Sequence, residues 1–208
     1  MRDDTEITDA AAGKRPRGRP RGFCRDAALA AIGEAFARKG FAETTLDDLG
    51  AATGLTRPSL YAAFGDKEAA YLAALAHYGA AAAARAVEAL ARPGRLADRL
   101  TGLFEGAAAF YCRDVSQPGC MIGGTAAAAA PTHPAIRDAA AAMRGLGVAQ
   151  FRQAFEAAGA WADAEPRAQM TLAALESMGL RARLGEREAV LAEFGRACAR
   201  RLAGDLEG

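Results

Sequence analysis

Residues Thr44 to Leu75 read TTLDDLGAATGLTRPSLYAAFGDKEAAYLAAL, and this stretch packs two helix starts into about fifteen residues. Thr45 followed three residues later by Asp48 forms a capping box with the acid shortened, after which Leu46 and Leu49 face inward. Gly54 breaks that short helix. Leu55 packs in the turn, Thr56 caps a second helix, and Pro58 falls in its first turn, where a missing N–H costs nothing. Two short helices joined through a glycine turn make a helix-turn-helix.

Helical spacing extends in both directions. Upstream, Ala27, Leu29, Ala30, Ile32, Ala35 and Phe36 predict a first helix that stops at Lys39-Gly40. Downstream, a longer helix begins near Asp66-Lys67 and runs to about Arg92, where RPGR ends it. Further helices are expected at about 95 to 113, 119 to 130, 134 to 158, 165 to 184 and 186 to 203, with breaks at SQPG, PTHP, Gly159 to Ala164 and Gly185. Alanine dominates the 51% hydrophobic fraction of the 208 residues, and β-branched residues are sparse, so the expected fold is all-α. Three regions follow: a basic arm at 1–22 too poor in apolar groups to fold, a helix-turn-helix domain at 23–68, and a helical regulatory and dimerisation domain at 69–208.

No run of about eighteen uncharged apolar residues occurs, and the first residues place acids before bases with no apolar core, so the expected location is the cytoplasm, away from membranes. Cys24, Cys112, Cys120 and Cys198 lack paired metal spacing and are expected as free thiols, with no metal and no cofactor. An enzyme is not expected: the two histidines, His77 and His133, stand alone, and no nucleophile elbow, zinc-binding helix or phosphate loop is present.

The ordered string Ile32, Phe36, Lys39, Gly40, Phe41, Thr44, Thr45, followed by LDDLGAATGLTRPSLY and then Phe64, Asp66, Lys67 and Glu68, resembles the DNA-binding domain of the TetR/AcrR family of bacterial transcriptional repressors. Ala70 and Gly50 depart from the family pattern, where a larger apolar residue and a helix former are usual. The resemblance implies a ligand-responsive repressor that binds double-stranded palindromic DNA as a homodimer. It also implies that Thr45 and Lys67 clamp the DNA backbone. The side chains themselves are chemically suited to DNA. Arg57 can bond guanine bidentately in a major groove, Pro58 or Ser59 can meet a base edge or a thymine methyl, and Tyr61 can reach a phosphate. Thr56 presents the turn on which they stand.

Charge qualifies this reading. Residues 23 to 70 hold seven acids against five bases, so bulk charge does not argue for nucleic acid there. The arm compensates, because KRPRGRPRGF, Lys14 to Phe23, carries five positive charges in a chain of net charge +1. Its PRGRP segment resembles an AT-hook, with Arg17 and Arg19 entering a narrow minor groove. An architectural A·T-tract binder acting through the arm alone is the rival reading.

In the second half, Met170, Leu172, Leu175, Met178 and Leu180, then Val190, Leu191, Phe194, Cys198 and Leu202, make the two C-terminal helices the expected homodimer interface, in line with the family. Phe104, Tyr111, Cys120, Met121, Met143 and Phe151, set among alanines, are the candidate lining of a cavity for an unidentified small-molecule inducer. Cys120 follows Pro-Gly at an expected helix start, which leaves open a second rival, a thiol sensor of electrophiles or oxidants.

Overall fold

The computed structural model describes residues 24–113, 119–204 and 206. Among these residues all regular structure is helical. The order is α1 (Arg25–Glu43), α2 (Leu46–Thr53), α3 (Arg57–Phe64), α4 (Lys67–Leu90) and α5 (Leu96–Cys112), then a π-helical turn (Ile122–Ala126) running into the short α6 (Ala127–Ala129). After these come α7 (Pro134–Ala157), α8 (Ala164–Arg183) and α9 (Glu188–Ala203).

Local chemistry sets the boundaries around the first three helices. At Gly40 the backbone takes φ 78°, which kinks α1 and turns Phe41 back onto Phe36 with ring centroids 5.9 Å apart. The sequence predicts a stop there; a last turn through Glu43 follows the kink instead. Gly54 takes φ 70° at the C-terminus of α2 and frees the chain for the turn into α3. Asp66 caps α4 by accepting from the Ala69 N–H at 2.8 Å.

One expectation changes form. The segment 119–130 reads as an α-helix, but its first part is a π turn in which the Ala126 N–H donates five residues back to the Met121 carbonyl at 3.0 Å. Thr125 Oγ1 donates to the same carbonyl at 3.2 Å, a back-bond that widens the turn, and Gly123-Gly124 offer no side chains to resist it.

Two apolar cores result. The first gathers Leu29, Ile32, Phe36, Leu49, Leu60 and Phe64 of α1 to α3 with Tyr71 and Leu75 of α4, and is closed by Met121, Ala126 and Ile136 from the π turn, its flank and the start of α7. Tyr71 meets Phe36 and Phe41 edge-on, at 4.8 and 5.2 Å between centroids. The second core packs α5, α7, α8 and α9 around Leu100, Phe104, Phe155, Met178 and Leu191. Here α9 approaches α5 so closely that a Cβ on Gly195 would lie 2.5 Å from the Phe104 Cβ. Helix α4 belongs to both cores: Tyr71 and Leu75 lie in the first, Ala86 and Leu90 in the second. No described helix is long and apolar enough to cross a membrane.

Candidate nucleic-acid interface and ligand cavity

The start of α2 is a closed capping box. Thr45 Oγ1 accepts from the Asp48 N–H at 3.2 Å, and the Asp48 carboxylate accepts from the Thr45 N–H at 2.9 Å. Lys39 donates to the other Asp48 oxygen at 2.7 Å. With the lysine contact contributing most and Thr45 next, the Asp48 carboxyl is held far below its ordinary range.

Helix α3 turns Leu60 and Phe64, with half-buried Ala63 beside them, inward and its other side chains outward. Leu60 and Phe64 are buried, whereas Thr56, Arg57, Pro58, Ser59 and Tyr61 are exposed, and Tyr61 keeps 53% of its surface open despite being a large aromatic. Thr56 caps α3 by accepting from the Ser59 N–H at 3.4 Å, and the two hydroxyls lie 3.0 Å apart. Arg57 holds the Asp47 carboxylate through two bonds, which lowers the carboxyl and raises the guanidinium from their ordinary values. Lys67, in the first turn of α4, donates to the Ala42 carbonyl at 3.0 Å and lies 4.7 Å above the Phe41 ring. An ammonium has three donors, so this contact ties α4 to α1 and leaves others for an anion. Arg17 and Arg19 lie outside the described residues.

A cavity of about 540 Å³ opens between α4, α5, α7 and α8. Of the six residues expected to line it, Tyr111, Cys120, Met143 and Phe151 do so. Phe104 and Met121 do not: Phe104 is fully buried against Gly195 of α9, and the Met121 sulfur packs toward α1 near Gly33. Tyr78 and Arg85 of α4 line the cavity without having been expected there, because the many alanines on that helix give no apolar stripe from which to pick them out. Tyr78, Tyr111 and Cys120 face the same cavity. Burial above all, and the neighbouring thiol after it, push both phenols well above their ordinary value. The Arg85 guanidinium lies 3.8 Å over the Phe110 ring, and Arg144 grips Glu176 through bonds of 2.5 and 3.1 Å at the cavity edge. Cys120 itself is buried and precedes the π turn rather than a regular helix N-terminus.

On the C-terminal pair of helices, Leu175, Met178, Leu191 and Leu202 are spent on the chain's own core, which leaves Met170 and Leu180 exposed. Leu184, one turn beyond Leu180, is exposed as well. Among the described residues no group of three or more His, Cys, Asp or Glu side chains is placed to hold a metal ion.

The family of bacterial regulatory proteins named for TetR matches residues 28–74, the stretch from α1 into α4. The HTH-type transcriptional repressor ComR of Escherichia coli (strain K12) is 46% identical over 65 residues, and this match spans 31% of each of the two chains. Solved structures resemble the chain over more of its length. The TetR-family transcriptional regulator CifR, as a cysteine mutant complexed with 26-bp double-strand operator DNA, aligns with 88% of this chain and 98% of its own at 29% identity and a TM-score of 0.77. A TetR transcriptional regulator from Chloroflexus aurantiacus J-10-FL aligns with 84% of this chain and 91% of its own at 25% identity and a TM-score of 0.72. With the capped helix-turn-helix and the helical domain behind it, the chain is similar to the TetR family of transcriptional regulators, by its family match over residues 28–74 and by its fold over most of its length.

Proposed function

We propose that the protein is a repressor that grips a palindromic operator as a homodimer and releases it when a small molecule fills the cavity. The observation that carries this reading is the outer face of α3, where Thr56, Arg57, Pro58, Ser59 and Tyr61 all stand clear of the core. A helix that spends Leu60 and Phe64, with Ala63 in part, on packing and offers a guanidinium, hydroxyls and a phenol is equipped for base edges and phosphates. The likeness to CifR, solved with operator DNA, supports duplex DNA as the partner.

One such helix reads few base pairs, so specificity calls for a second copy about 34 Å away on a two-fold axis. The exposed Leu180 on α8 and Leu184 at its C-terminal cap support the C-terminal helices as the seam between copies. The cavity supports an inducer with a mostly apolar body and a polar group facing Tyr78, Tyr111 and Cys120. Such a ligand acts only if it binds the released pose more tightly than the DNA-bound one.

Selection of bound duplexes from a random pool with the full chain tests this. An inverted repeat is expected, with binding lost in the R57A/Y61A double variant and weakened but still sequence-selective when Arg17 and Arg19 are replaced. Sites without a repeat, or binding that survives R57A/Y61A and vanishes with the two arm arginines, would transfer the function to the arm.

A further inference from the structure

Arg57 on α3 is bound along one edge by an acid ten residues earlier on α2. Its Nε–H donates to Asp47 Oδ1 at 2.7 Å and an Nη2–H donates to Oδ2 at 2.5 Å. A guanidinium has five coplanar N–H bonds, and this pairing uses two of them. Of the three that remain, one on Nη1 and one on Nη2 run parallel and form the outer fork, the same donor pair that guanine N7 and O6 accept in a major groove. The ion pair therefore leaves the base-reading edge free and fixes its direction.

Two further observations single out Asp47 for this role. Its neighbour Asp48 cannot compete for Arg57, since its oxygens are engaged by Lys39 and Thr45. The Arg57 and Asp47 side chains keep 60% and 70% of their surface exposed, a setting in which an ion pair contributes little to folding. What the pair does change is the availability of the cation. A free arginine on this face reaches any phosphate, whereas one already neutralised by a carboxylate gains little from a second anion. Holding the long side chain in place beforehand also removes ordering that binding would otherwise require.

We propose that Asp47 is a positioning residue that sets specificity: it aims the outer fork of Arg57 at a guanine and withholds the charge of Arg57 from phosphates. This rests on the reading that α3 enters the major groove, and the test separates the two.

The wild-type chain and its D47N, D47A and R57A variants are titrated by fluorescence anisotropy against three duplexes: the selected site, the same site with its most sensitive guanine replaced by 7-deazaguanine, and a scrambled sequence. Wild type is expected to bind the 7-deaza duplex about 5-fold more weakly or worse, and R57A to lose that penalty. D47N and D47A are expected to lose most of the penalty as well, while binding scrambled DNA more tightly and with a salt slope steeper by about one. A penalty that persists in R57A overturns the groove reading itself. A penalty lost in R57A but kept at the wild-type level in both Asp47 variants overturns the role of Asp47 alone, and urea midpoints close to wild type for the Asp47 variants exclude misfolding as the source of any loss.

Discussion

The hydroxyls of Tyr71 and Thr125 lie 2.8 Å apart in the buried seam between α4 and the π turn. Thr125 donates its own proton to the Met121 carbonyl, so the Tyr71 hydroxyl is the donor of this bond. Burial pushes the Tyr71 phenol up to about 12, which keeps the proton on the phenol at neutral pH. The bond joins the helix-turn-helix core to the residues that follow Cys120 at the cavity wall.

Removing either partner should therefore cost stability unequally. Tyr71→Phe leaves Thr125 bonded to Met121 and is expected to cost about 1 kcal/mol, whereas Thr125→Val strands a buried phenol O–H and is expected to cost about 1–3 kcal/mol. The double variant should cost less than the sum. Urea titrations of the four proteins measure this, and strict additivity would mean that the two hydroxyls do not interact.

Glycines on two helices should respond oppositely to alanine. Gly195→Ala forces a Cβ to within 2.5 Å of Phe104 Cβ, so α5 and α9 must separate, at an expected cost of about 1–3 kcal/mol. Gly145 on α7 has nothing within 4 Å of the added Cβ, and Gly145→Ala should stabilise by up to about 1 kcal/mol through helix propensity. Thermal melts of the two variants are the check.

Acid should weaken the capped start of α2. The Asp48 carboxyl is depressed in the folded chain by Lys39 first and Thr45 next, so it prefers the ionised form when folded. Its stabilisation is fully present above the unfolded value of about 3.9 and is lost as pH falls through the folded value. The gap in melting temperature between wild type and Asp48→Asn should accordingly narrow between about pH 6 and pH 2. A gap independent of pH would mean that the substitution removes packing alone and no charge interaction.

The parts of the fold legible in sequence were those governed by neighbours along the chain. Thr45 with Asp48, Thr56 with Pro58, and Gly54 between them announce their caps and turn because each acts within four residues. The cavity was only half legible. Phe104 and Tyr111 are seven residues apart on α5 and so share its inward side, yet one packs against Gly195 and the other lines the cavity. Spacing identifies an inward side but not the helix it meets. Helix α8 poses the same difficulty, with apolar residues both toward the core and toward solvent. The Asp47–Arg57 pair crosses the glycine turn, so only the angle between α2 and α3 brings it together.

Helix α4 runs unbroken for 24 residues, with Lys67 at one end and the cavity-lining Tyr78 and Arg85 farther along. A straight rod of that length, about 36 Å, multiplies angles: rocking it by about 5° moves its far tip by about 3 Å. That is close to the roughly 3.4 Å rise of a single base-pair step, so in the proposed dimer a ligand that wedged the rod by a few degrees would put the two symmetry-related reading helices out of phase with the duplex without melting a single turn.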